Sequence, residues 1–133
     1  MVTAILQDEG YTVETADTAK KGIEKSEKEF YNLALIDVRL PEMEGIELLP
    51  KLRETKPKMR KIIVTGYPTL QNAVAAVNKG ADAYVMKPFD VDKILQTIKE
   101  QLQKQKEEKK TNEEKVADFI QKRAKEISEG KIK

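Results

Sequence analysis

Three polar residues, each directly following a short apolar run, constrain what this chain can fold into. Asp37, Thr65 and Lys87 each come after three or four consecutive apolar residues. Runs of this length, separated by helix-like segments, are typical of buried strands in a parallel sheet. The functional crevice of an open α/β sheet lies beyond the carboxyl ends of its strands. We therefore expect a carboxylate, a hydroxyl and an ammonium to meet at one edge, in a site that receives and holds a phosphoryl group.

The residues around these positions form three motifs, at 37–45, 64–68 and 84–89. In order and spacing they resemble the receiver domain of two-component response regulators, and the resemblance runs from about residue 2 to about residue 102. The chain is also similar to single-domain receivers of archaeal type. The resemblance implies an α/β fold of three layers around a parallel sheet (flavodoxin-like), with a C-terminal helical extension.

One part of the family pattern has no counterpart: the first strand and the acidic pair at its end. Residues 2–11 resemble the second half of the family's first helix. Asp8 and Glu9 precede Gly10, a helix-stop signal, so we predict that they lie on the surface and do not bind metal. Without the first strand, the predicted strand at 12–16 could pair with the next one in the order 2-3-4-5. Alternatively, open edges would favour a homodimer or strand exchange.

The resemblance assigns roles to five residues of the site. Asp37 is the expected phosphoacceptor, a carboxylate that attacks phosphorus and becomes an acyl phosphate. Thr65, Gly66 and Lys87 are expected to bind the phosphate, and Tyr84 to act as the switch aromatic. Four of the five have a simpler interpretation, because Asp caps turns, Thr favours strands, Tyr packs half-buried at sheet edges and most lysines are surface residues.

The resemblance also implies a metal ion and a special peptide bond. Mg²⁺ would bind the Asp37 carboxylate and the backbone carbonyl of Arg39, and we expect this binding to be weak because the acidic pair is absent. The peptide between Lys87 and Pro88 is expected to be cis, as in the family.

Composition narrows the class of protein. The 133 residues contain no cysteine and no histidine, so thiolate metal sites are excluded and any phosphohistidine must belong to a partner. That partner would be a histidine kinase or a phosphotransfer protein. The net charge is only +2, and no apolar run approaches the ~18–20 residues of a membrane span. The sequence predicts a cytoplasmic protein that binds neither nucleic acid nor membrane.

Helical patterns complete the organisation. Pro50 predicts an irregularity in the third helix, and the helix at 69–79 is expected to bury the apolar residues spaced three and four apart, Leu70, Ala73, Val74 and Val77. Residues 103–111 are predicted to be a linker, followed by a helix whose stripe is Val116, Ile120, Ala124 and Ile127. This divides the chain into a receiver domain at 1–103, lacking its first strand, and a charged helical extension at 104–133.

Three functions remain open. The first is a phosphoacceptor that takes a phosphoryl group on Asp37 and signals by protein–protein interaction. The second is a non-phosphorylated pseudo-receiver that acts as a protein-interaction module, and the third is a truncated form of a working receiver. An enzyme is not expected beyond slow self-dephosphorylation, because a His- or Cys-based nucleophile pair is excluded by composition.

Overall fold

Three parallel strands form the central sheet of the computed structural model, which describes residues 2–37, 45–66, 69–87 and 90–128. The strands are β1 (Leu33–Asp37), β2 (Arg60–Thr65) and β3 (Ala83–Met86), and they lie in the order β1-β2-β3. All six positions of β2 are buried, whereas four of the five positions of β1 are only partly buried. β2 is therefore the interior strand and β1 lies at an edge.

Helices cover both faces of this sheet. They are α1 (Val2–Asp8), α2 (Ala19–Lys28), α3 (Gly45–Leu48), α4 (Leu70–Asn78) and α5 (Val91–Ser128). A 3₁₀ turn at Leu49–Lys51 directly follows α3, as the irregularity predicted from Pro50. The helix ends follow local chemistry: the hydroxyls of Thr18 and Thr69 accept from backbone amides three residues on, and Gly10 and Gly80 adopt positive φ where α1 and α4 end.

Two apolar clusters, one on each face of the sheet, hold these layers together. One contains Ile36 and Ile63 with residues of α2, α3 and α4, and the other contains Ile62 and Val64 with residues of α1 and α5. Neighbouring positions of β2 thus serve opposite clusters, as the two-residue period of a strand requires. This confirms the predicted three-layer parallel-sheet fold.

The predicted strand at 12–16 is wrong. Residues 11–16 form neither helix nor strand, although Tyr11 and Val13 pack against the cluster that includes α5. The described residues show no backbone hydrogen bond between this segment and β1. The order 2-3-4-5 does not form, because a strand exists only where a neighbour pairs with its backbone, and here β1 pairs with β2 alone.

The predicted inner face of α4 is also wrong. Ala76 is fully buried, whereas Leu70, Val74 and Val77 are 81%, 50% and 67% exposed. The small side chains of Ala75 and Ala76 face the sheet instead, which lets the helix approach closely. The larger apolar residues consequently lie outward.

The predicted linker at 103–111 is helical, because α5 runs unbroken for 38 residues. The hydrophobic pattern did not predict this part of the helix, because here α5 contacts the rest of the domain through buried side-chain amides. Gln105 is 3% exposed and donates to the carbonyls of Asn32 at 2.9 Å and Lys58 at 2.8 Å. Gln101 is buried near Arg60, whose guanidinium donates to its carbonyl. The division into a receiver domain at 1–103 and an extension at 104–133 stays a prediction.

None of the helices described here is long and apolar enough to cross a membrane.

Candidate functional site

Asp37 and Lys87 are in contact at the carboxyl edge of the sheet. The Lys87 ammonium donates a hydrogen bond to Oδ2 of Asp37 at 2.8 Å, and each side chain is 44% exposed. β1 ends at Asp37, and Lys87 is the first residue after β3, so the pair spans the end of β2. An ion pair this exposed contributes at most about 1 kcal/mol. The ammonium can therefore turn toward an incoming anion at little energetic cost.

Thr65 and Gly66 lie at the end of β2, between these two charges. Thr65 is buried, and its carbonyl accepts a hydrogen bond from the Lys87 amide at 2.6 Å. This bond fixes the start of the segment that carries the ammonium. A Cβ at Gly66 would meet nothing closer than the Lys87 Cβ at 3.9 Å, so the glycine leaves the approach open without being sterically required. Sequence reasoning thus predicted that Asp37, Thr65, Gly66 and Lys87 meet at one edge.

Gly45 supports the site from below, and the sequence analysis assigned it no role. It is buried at the start of α3, where an added Cβ would collide with the backbone carbonyl oxygen of Asp37 and come within 2.8 Å of Cγ2 of Ile36. Only glycine allows α3 to approach the acceptor strand this closely. Gly45 is the last residue of the 37–45 motif, but the need for glycine at this position follows only from its contact with the acceptor strand.

Tyr84, on β3, packs against the apolar cluster shared with α2, α3 and α4. Its hydroxyl oxygen is buried and has no hydrogen-bond partner among the described residues. A buried hydroxyl without a partner costs roughly 1–3 kcal/mol. The switch role of Tyr84 stays a prediction.

The Asp37 carboxylate lies at this edge, and the described residues hold no group of three or more acidic side chains suited to a metal. Arg39 and Pro88, to which the sequence analysis gave a metal-binding carbonyl and a cis peptide, lie outside the described residues. Glu9 lies against Lys99 of α5 at 4.0 Å, at the end of α1. This agrees with its predicted place on the surface.

A profile of the family described as "Response regulator receiver domain" matches residues 1–99. The chain belongs to this family. Its sequence is 35% identical over 102 residues to the transcriptional regulatory protein ZraR of Klebsiella oxytoca, covering 77% of this chain and 23% of that protein. The chain thus spans about a quarter of the length of this regulator.

Two solved receivers resemble the fold. A CheY-like receiver domain protein from Methanospirillum hungatei is 52% identical with a TM-score of 0.76, covering 80% of this chain and 86% of the other. A response regulator from Burkholderia pseudomallei, solved with a phosphorylated aspartic acid, calcium ion and citrate, is 31% identical with a TM-score of 0.66. It covers 71% of this chain and 55% of the other. The archaeal-type resemblance predicted from the sequence is in line with the first of these.

Proposed function

We propose that this receiver accepts a phosphoryl group on Asp37 from the phosphohistidine of a histidine kinase or phosphotransfer protein. The observation that carries the proposal is the ammonium of Lys87, 2.8 Å from the Asp37 carboxylate at the sheet edge. In the transfer, an Asp37 oxygen bonds to phosphorus while the phosphorus–nitrogen bond breaks. The electron pair of that bond returns to the partner's imidazole, which leaves neutral after taking up a proton.

Charge is the main demand of this reaction, because phosphoryl transfer relies on positioning and electrostatic stabilisation. Asp37 exchanges one negative charge for the larger charge of an acyl phosphate, so the salt bridge to Lys87 becomes a contact to phosphate oxygen. We expect the Thr65 hydroxyl, at the end of β2, to bind a second oxygen. Mg²⁺, when bound, neutralises phosphate charge. With one carboxylate already paired to Lys87, we expect weak Mg²⁺ affinity.

Output would occur through protein–protein contact. Movement of Thr65 toward the phosphate would open space near Tyr84, whose buried hydroxyl favours a change of position. α4 connects to the same sheet edge and presents Leu70, Val74 and Val77 to solvent. Exposed apolar side chains grouped on one helix face are typical of interaction sites. For this chain we propose a cytoplasmic signalling module, not an enzyme, without nucleic-acid contact of its own.

A specific observation favours the pseudo-receiver as a second candidate. The Asp37 carboxylate already forms an ion pair with Lys87, so a protein-interaction module could keep this pair as a purely structural contact. A homodimer or strand exchange through the open edge of β1 would suit such a module.

Intact-mass analysis separates these candidates. The wild-type chain, Asp37→Asn and the control Asp8→Asn are incubated with a small-molecule phosphodonor and Mg²⁺. We expect one added phosphoryl group in wild type and Asp8→Asn and none in Asp37→Asn. Label that survives Asp37→Asn would refute the assignment, and no label in any of the three would favour the pseudo-receiver.

A further inference from the structure

The C-terminal part of α5 carries an apolar face that its own domain does not cover. Residues 106–125 are exposed throughout, and Val116, Phe119 and Ile120 are 59%, 63% and 60% exposed. Because α5 is unbroken from Val91 to Ser128, this segment extends beyond the body by roughly 30 Å, at 1.5 Å per residue. Within a straight helix this face cannot fold back onto its own domain, so it is accessible to a second molecule.

The apolar face is centred on Ile120. At about 100° per residue, Val116, Ala117 and Ala124 lie within about 60° of Ile120 around the helix axis. A large side chain, Val116, stands one turn before Ile120, and a small one, Ala124, stands one turn after it. A copy of the face running in the opposite direction would place each valine against an alanine, which suits close packing.

The distribution of charge along the segment also favours an antiparallel pair over a parallel one. Residues 113–118 hold three acids and one base, a net charge of −2, whereas residues 119–125 hold three bases and no acid, a net charge of +3. Antiparallel pairing sets these halves against each other, and parallel pairing sets like against like. The ion pair of Asp118 and Lys122 within the helix, at 3.3 Å with side chains 63% and 73% exposed, contributes too little to oppose this.

We propose that residues 113–127 bind the same segment of a second copy of this chain as an antiparallel helix pair, with the two Ile120 side chains at the two-fold axis. Val116 of each copy packs on Ala124 of the other, and the acidic residues 113–118 of each copy lie along the basic second half of the other. The pairing does not depend on whether Asp37 is phosphorylated. An interface of about four turns is smaller than a standard one, so we expect dissociation between about 10 μM and about 1 mM.

Sedimentation equilibrium of the full chain over that concentration range tests the pairing. Ile120→Asp places two carboxylates at the two-fold axis and is expected to weaken association more than tenfold. Thr111→Asp, an exposed site about 180° away around the helix, adds the same charge and should leave association unchanged. Circular dichroism checks that both variants keep the helix. A wild-type chain that stays monomeric at 1 mM, or equal weakening by both variants, would overturn the proposal.

Disulfide trapping tests the direction, since the chain has no cysteine of its own. Ile120→Cys is expected to crosslink under mild oxidation. Lys109→Cys lies on the same face, but antiparallel pairing separates its two copies by roughly 33 Å, far beyond disulfide reach. We expect at least tenfold less crosslinking at this position. Equal crosslinking at both positions would mean a parallel pair, and none at either would mean no pair; both results contradict the proposal.

Discussion

The contact between Gly45 and the acceptor strand gives the sharpest prediction about how the fold supports the site. Gly45→Ala would place a Cβ against the backbone carbonyl oxygen of Asp37, an atom that cannot rotate away. Gly22→Ala is the matched control, because Gly22 is also helical and its Cβ would meet only Cβ of Ala16 at 3.9 Å, an ordinary contact. Glycine to alanine should therefore lower stability at position 45 and raise it at position 22.

The magnitudes follow from two opposing effects. Overpacking a tight contact costs about 1–3 kcal/mol, and we place Gly45→Ala near the upper end because the clash is with backbone. Alanine in a helix interior gains about 0.5–1 kcal/mol over glycine, and Gly22→Ala should realise that gain without penalty. For Gly45→Ala the net loss is about 2 kcal/mol, which corresponds to a melting temperature lower by roughly 6–10 °C.

Urea unfolding followed by circular dichroism measures both variants, with the slope checked so that midpoints can be compared. We expect the Gly45→Ala midpoint to fall, the Gly22→Ala midpoint to rise, and phosphorylation to fall only in Gly45→Ala because α3 then pushes on the Asp37 backbone. If both variants were stabilised alike, α3 would not approach β1 as closely as described, and the steric argument would be refuted.

Three further predictions concern single side chains. The hydrogen bond to Glu14, with burial adding, raises the pKa of Tyr31 to about 12, so the folded state keeps a proton that the unfolded state loses above about pH 10. Stability from this group should fall between pH 10 and 12 in wild type, and urea midpoints of Tyr31→Phe that show the same fall would contradict this. Burial lowers the pKa of Lys61 in the folded state, so the free energy of unfolding should rise as the pH approaches the ordinary lysine pKa of the unfolded chain. Lys61→Met should lose that rise in the same titration. Tyr84→Phe should raise the free energy of unfolding by about 1 kcal/mol by removing a buried hydroxyl without a described partner, and a clear loss of stability would reveal a partner.

The sequence predicted the site better than the packing around it. Asp37, Thr65 and Lys87 meet at one edge because parallel strands end together, a rule that needs no knowledge of side-chain contacts. Gly45 was missed because its requirement comes from the Asp37 carbonyl, which lies in another element.

Amphipathic patterns misled where burial did not follow hydrophobicity. α4 turns its alanines to the sheet and leaves Leu70 in water, so the largest apolar residues did not mark the inner face. α5 stays attached to the body through Gln105, a polar residue whose amide finds buried carbonyls of Asn32 and Lys58. The segment at 12–16 has strand-like residues, but in the described part of the chain its backbone forms no hydrogen bond to the open edge of β1. In each case a tertiary neighbour decided the outcome.

Locating the phosphoryl group tests directly whether Asp37 is the phosphoacceptor. The chain is treated with a small-molecule phosphodonor and Mg²⁺, reduced with borohydride to convert an aspartyl phosphate to homoserine, digested, and mapped by mass spectrometry. We expect homoserine at position 37 and at no other carboxylate. In Lys87→Met the amount of homoserine should be strongly reduced, because the ammonium 2.8 Å from Asp37 is lost. Homoserine at another aspartate, with position 37 unmodified, would contradict this assignment.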